Sequence, residues 1–230
     1  MARARSRADA IYDILAPLWP EAEPLLEYGD CFQLACAVAL SAQCTDEQVN
    51  RATPGLFARW PNSRAMAAAK VEDVEQAIRS LGFFRTKARH LVQAARVVEE
   101  RFGGRMPSSM DELLELPGIG RKSANLILSA CFGKPGIIVD THVLRACFRL
   151  GLYPRPLGNS GPDPAVMEAR IAALLPEGRW TRFSHAVNRH GKFVCAARKP
   201  ACVDAEAPSC PLLGLCPRLG LAAPRPRGRR

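Results

Sequence analysis

Apolar residues recur along this chain at the three- and four-residue spacing of an α-helix, and alternating runs of Val, Ile and Thr are almost absent. The pattern reads as an all-α fold with strands absent or minor. It predicts helices over 8–18, where Ile11, Ile14, Leu15 and Leu18 recur, and over 32–40, 47–57 and 71–81. A long amphipathic helix follows over 86–102, stopped by Gly103-Gly104. Ser109 with Glu112 three residues on has the form of a capping box opening a helix over 110–116. Pro117-Gly118-Ile119-Gly120 breaks the run, and helices resume over 121–132, 141–150 and 165–175. Residues 154–164, rich in Gly and Pro, read as loop. Beyond Cys195, Pro208, Pro211 and Pro217 argue against helix, so something other than an apolar core must hold that segment.

A chain of 230 residues can bury a real core as one large domain or two small ones. Hydrophobic residues at 48% and charged residues at 23% exclude wholesale disorder. No stretch approaches the roughly 18–20 uninterrupted apolar residues of a membrane span. The basic N-terminus lacks the apolar run of a secretory signal, so a soluble cytoplasmic protein with no membrane partner is expected. The net charge of +10 favours polyanions such as nucleic acid. Arg3, Arg5 and Arg7 supply three of these charges, and Arg218, Arg225, Arg227, Arg229 and Arg230 five more, leaving only +2 for residues 8–217. The charge therefore mostly describes two tails. The last thirteen residues read as a disordered basic arm adding non-specific phosphate contacts.

The 9 cysteines are an odd number and cannot all pair within one chain. Cys31, Cys36, Cys44, Cys131 and Cys147 sit singly among apolar residues and read as small buried hydrophobes. Cys195, Cys202, Cys210 and Cys216 crowd into 22 residues as C-x6-C-x7-C-x5-C. In a cytosolic chain such crowding reads as metal or cluster ligation before disulfides, although the C-x2-C pairs of zinc sites are missing.

The segment Leu116-Pro117-Gly118-Ile119-Gly120-Arg121-Lys122-Ser123-Ala124-Asn125 carries the most information. Two glycines flanking one apolar residue allow a tight reversal between helices with positive φ. Backbone N–H groups of that turn and of the next helical turn lack intrahelical acceptors and suit a DNA phosphate. An ordinary helical-hairpin turn has the same spacing. Lys122 falls in the first turn of the following helix, where the dipole disfavours an ammonium and favours a nucleophilic amine. On position alone a phosphate-contacting or merely solvated lysine is the commoner occupant. Asp140, closing Ile137-Ile138-Val139-Asp140, reads as an N-cap and also as a carboxylate that steers protons and opposes positive charge on a sugar. The two roles are compatible, because a capping carboxylate is immobilised. His142 reads as a helix-packing residue.

Residues 116–125 followed by Val139-Asp140-Thr141-His142 resemble the endonuclease III branch of the helix-hairpin-helix (HhH-GPD) DNA glycosylase superfamily. Ser41-Ala42-Gln43-Cys44-Thr45-Asp46 resembles its segment entering DNA, and His190 to Pro200 its approach to an iron–sulfur cluster. The likeness runs in order from about residue 8 to 217. It implies two helical domains flanking a DNA-binding cleft: 23–135 as a helical barrel with the hairpin, and 1–22 with 136–217 as a cluster domain. It implies excision of oxidised pyrimidines by attack at C1′, then strand cleavage by β-elimination, on double-stranded DNA and by a monomer at the nucleoid. Lys122 then matches the nucleophile, Asp140 the catalytic acid and Gln43 the residue filling the space of the flipped nucleotide. Phe83, in Leu81-Gly82-Phe83-Phe84, falls where the family places an aliphatic wedge, although it reads equally as core; Phe84 reads as core. Gly118, Ile119, Gly120 and Arg121 are expected at DNA, and so are Arg198 and Lys199 unless they are only a solvated pair.

The family spaces its cysteines C-x6-C-x2-C-x5-C, so this chain carries five extra residues between Cys202 and Cys210. All four thiolates remain available, and a [4Fe–4S] cluster on Cys195, Cys202, Cys210 and Cys216 is expected, structural rather than reactive. Other functions weighed are a monofunctional adenine or mismatch glycosylase, a non-catalytic DNA-binding hairpin protein and a zinc-stabilised scaffold. Lys122 argues against the first, and Lys122 with Gln43 and Asp140 against the second.

Overall fold

The computed structural model describes residues 2–20, 24–153, 163–203 and 209–221. Among these residues there is no strand. The helices in chain order are α1 (Ala2–Leu18), α2 (Cys31–Leu40), α3 (Asp46–Arg59), α4 (Ser63–Ala67), α5 (Val71–Ala77) and α6 (Phe84–Phe102). They continue with α7 (Met110–Leu114), α8 (Arg121–Phe132), α9 (Thr141–Arg149), α10 (Pro164–Leu174) and α11 (Trp180–Phe193). Among the described residues no helix is long and apolar enough to cross a membrane. Most of the predicted loop over 154–164, residues 204–208 of the expanded stretch between Cys202 and Cys210, and residues 222–230 of the basic arm lie outside the described residues.

The chain divides into two compact units, Glu23–Gly136 and Met1–Ala22 with Ile137–Arg230. In the first, α2 is apolar nearly all round, with Phe32, Leu34, Ala37, Val38 and Leu40 among its buried residues, and it packs against α3, α6 and α8. The longer α6 buries one stripe, Ala88, Leu91, Val92, Ala95 and Val98, and turns charged residues outward. Leu34, Leu56, Met66, Ile78, Leu91 and Ile127 are fully buried, each contributing about 1.5–3 kcal/mol. Several helix starts are capped by side chains. Thr45 and Gln48 form a complete capping box on α3, and Asn62 caps the unpredicted short α4. Ser109 accepts from the Glu112 amide at 3.3 Å and opens α7, as the sequence suggests.

The predicted helix over 71–81 ends at Ala77, because Ile78 leaves helical geometry (φ −110°, ψ 18°) to bury its own side chain and that of Leu81. A larger difference concerns cysteine. Cys31 and Cys131 are not isolated hydrophobes but form a disulfide, with Cα atoms 5.7 Å apart. Packing of α2 on α8 brings together residues separated by 100 positions. Cys36 and Cys147 are buried as expected; burial raises Cys36 above its ordinary range and pushes Cys147 up to about 12.

The second unit packs α1, α9, α10 and α11 around Ile11, Leu15, Cys147, Met167 and Phe183. Here α11 is an unpredicted fourteen-residue helix. Its buried face includes Ser184, His185, His190 and Gly191 beside Phe183, Ala186 and Val187. Burial pushes both His185 and His190 down to about 4, so the two rings enter the interior uncharged. At the start of the expected basic arm, the Leu219 amide donates to the Arg149 carbonyl at 3.2 Å and a Cβ at Gly220 would meet Phe148 at 2.8 Å, so these two residues touch α9 while remaining exposed.

Candidate active site

Two helix starts carry the principal candidates. In the first unit, α7 ends, Gly118 takes φ +86°, and Gly120 stands extended (φ −99°, ψ 178°) as the N-cap of α8. Only one of the two glycines is therefore left-handed. Gly118 is doubly required, since a Cβ would meet His90 Cβ and Nδ1 at 3.2 Å. Around Gly120 a Cβ would meet nothing within 4 Å, so that side of the turn is open. The amides of Gly120, Lys122 and Ser123 have no acceptor among the described residues. The Ile119 amide is spent on the Leu116 carbonyl at 3.0 Å, and its side chain is buried. Ile119 thus anchors the turn in the core. Arg121 is exposed. Lys122, the second residue of α8, is exposed, and its amine has no hydrogen-bond partner among the described residues.

The same unit presents Gln43 and Phe83, and both adopt left-handed backbone, φ 56° and φ 57°. This is uncommon for residues with a Cβ and costs each on the order of 1–3 kcal/mol. Gln43 is exposed in the turn closed by the Cys44 amide on the Ser41 carbonyl. Phe83 is 65% exposed, whereas Phe84 packs against the core. Buried Lys87 on α6 donates to Cys44 Sγ at 3.1 Å and ties the two turns together. Sequence reasoning did not anticipate that tie.

In the second unit Asp140 is the N-cap of α9. Its Oδ1 accepts from the Val143 amide at 2.8 Å and its Oδ2 from Asn188 Nδ2 at 2.7 Å. His142 packs under α11, with its Nδ1 3.1 Å from the Arg145 guanidinium.

The terminal cysteines follow α11. Among the described residues no three Cys, His, Asp or Glu side chains are arranged to hold a metal ion. The four thiols are nonetheless within electrostatic reach of one another. Cys210 is raised by burial and then by Cys202, Cys216 and Cys195, and Cys216 by burial and then by Cys195 and Cys202. Buried Arg149, which the sequence did not single out, grips the segment from below. It donates to the Cys195 carbonyl and sulfur at 3.2 and 3.4 Å, and to the carbonyls of Ala196 and Ala197 at 2.8 and 2.9 Å. The Arg218 amide donates to Cys216 Sγ at 3.3 Å. Cys210 and Cys216 thus feel their neighbouring thiols, and N–H groups are already aimed at two sulfurs, those of Cys195 and Cys216. Arg198 and Lys199 are exposed on the loop that Arg149 holds.

Residues 36–176 match the family described as HhH-GPD superfamily base excision DNA repair protein. The chain is similar to endonuclease III of Synechocystis sp. (strain PCC 6803), 44% identical over 94% of each chain. It is also similar to endonuclease III of Bacillus subtilis, 38% identical over 89% of each. Among solved structures it resembles a trapped endonuclease III–DNA covalent intermediate, at 36% identity and a TM-score of 0.84 over 93% of this chain and 96% of that one.

Proposed function

This chain belongs to the HhH-GPD superfamily of base excision DNA repair proteins, in its endonuclease III branch, and from that premise we propose that it excises oxidised pyrimidines and cleaves the strand at the resulting abasic site. The observation carrying this reading is an exposed, unengaged lysine in the first turn behind an open hairpin, in a chain so similar to one trapped covalently on DNA.

The free amides of Gly120, Lys122 and Ser123 receive a backbone phosphate, with Gly118 shaping the turn and Arg121 beside it. Phe83 wedges the opposite strand and Gln43 fills the vacated position; their left-handed backbones hold both side chains outward. The Lys122 amine attacks C1′ and the damaged base departs with a proton. The ring opens to an iminium linking Lys122 to C1′, which acidifies C2′–H. Loss of that proton expels the 3′ phosphate, and water releases the lysine. Asp140 manages the protons and opposes the positive charge at C1′.

Cys195, Cys202, Cys210 and Cys216 would hold a [4Fe–4S] cluster, which would cross-link a segment otherwise anchored mainly by Leu212 and would take no part in these steps. That segment then presents Arg198 and Lys199 to phosphate. The protein works as a monomer on double-stranded DNA bearing damaged bases or abasic sites, a substrate found at the cytoplasmic nucleoid.

Borohydride added during turnover on a duplex with one oxidised pyrimidine tests the chemistry. The wild type should become covalently attached to DNA and Lys122→Ala should not. Trapping of Lys122→Ala at the wild-type rate would refute the assignment. Iron analysis of the purified protein should give about four irons per chain, and stoichiometric zinc without iron would refute the cluster.

A further inference from the structure

Ser184, Asn188 and Gly191 lie at i, i+4 and i+7 on α11 and so share one face. All three meet the segment that carries Asp140. Ser184 Oγ accepts from the Ile138 amide at 3.2 Å while donating to the Trp180 carbonyl at 2.9 Å. Asn188 Nδ2 donates to Asp140 Oδ2 at 2.7 Å. A Cβ at Gly191 would meet the His142 carbonyl oxygen at 2.8 Å, so α11 approaches the first turn of α9 as closely as glycine permits.

The N-cap commits Asp140 Oδ1 to the Val143 amide. Oδ2 is the oxygen left to exchange a proton, and its direction is set by the partner on α11. We propose that Asn188 is a positioning residue for the reaction, holding Asp140 Oδ2 in one orientation. This rests on the role assigned to Asp140 above. A 2.7 Å bond to a carboxylate is of the strong, charge-assisted kind.

Other groups also act on Asp140. On α9, Arg145 and Cys147 interact with it electrostatically, and Cys147 stays a thiol because it is pushed up to about 12. On α11 the ionisable groups are Arg182, Arg189 and Lys192, with His185 and His190 pushed down to about 4 and neutral in the assay range. Removing Asn188 therefore leaves Arg145 in place and isolates one hydrogen bond.

The test uses the full chain on a duplex with a plain abasic site. Asn188→Leu should lower kcat about tenfold with KM unchanged, and should move the acid limb of the pH–rate profile up by about one unit. The isosteric Asn188→Asp should move that limb further, because it replaces the donor by a like charge; it carries the test alone if the leucine variant fails to fold. A purely structural role would lower the melting temperature and leave the limb in place. Unmoved profiles in both variants, beside an impaired Asp140→Asn, would overturn the role of Asn188 and leave that of Asp140. A fully active Asp140→Asn would overturn the reading beneath it.

Discussion

Lys122 and Asp140 each stand at the start of a helix, yet the protein holds them in opposite ways. No group among the described residues bonds the Lys122 amine, which projects from the second position of α8 behind an open turn. Both oxygens of Asp140 are bound, one by its own helix and one by Asn188, 48 residues away. The difference follows from the chemistry. An amine that forms and breaks a bond to carbon must be free to move, whereas a carboxylate that steers protons and opposes charge works best when fixed.

Removing the free partner should have the largest effect. Lys122→Ala should reduce strand cleavage at an abasic site by at least about a thousandfold, with duplex affinity nearly unchanged because the hairpin amides remain. An assay of both quantities on the same duplex checks this, and a parallel loss of binding would make Lys122 a phosphate contact.

Asp140→Asn probes the fixed partner and should be milder, roughly a hundredfold in turnover. Asparagine caps a helix about as well as aspartate, so the melting temperature should hardly move. A large fall in melting temperature with proportionate loss of activity would reduce Asp140 to a cap.

The wedge side of the first unit comes next. Phe83→Ala should slow processing of a paired lesion by roughly 5- to 100-fold, the worth of one aromatic–base stack, and spare a flexible single-stranded site. Equal slowing on both substrates would assign Phe83 to general binding.

The two hairpin glycines give the smallest and most local contrast. Gly118→Ala should destabilise the fold by about 1–3 kcal/mol through its positive φ and the 3.2 Å approach to His90. Gly120→Ala, facing open space, should leave stability almost unchanged and weaken DNA binding instead. Thermal melts and binding titrations of the two variants separate these outcomes.

The same contrast explains what the sequence revealed. The turn at Gly118 and the cap at Asp140 are local devices, set by residues within three or four positions, and both were legible. So was the core role of Phe84. The helix α11 was not, because Ser184, His185, His190 and Gly191 on its buried face are not apolar residue types and leave only Phe183, Ala186 and Val187 to show the period. Arg182, Asn188, Arg189 and Lys192 dilute that period further. The Asn188–Asp140 bond, the Lys87–Cys44 tie and the Cys31–Cys131 disulfide join residues 48, 43 and 100 positions apart, which no local pattern encodes. Nor did its place between the glycines show that the Ile119 side chain fills the core beneath the turn.

The central claim is that the unengaged amine of Lys122 is the one that bonds to DNA. The direct measurement is to reduce the reaction during turnover with borohydride, digest the trapped complex and locate the modified residue by mass spectrometry. A sugar adduct on Lys122 alone is the predicted result. An adduct on Lys87, Lys134 or another amine, with Lys122 unmodified, would contradict the account.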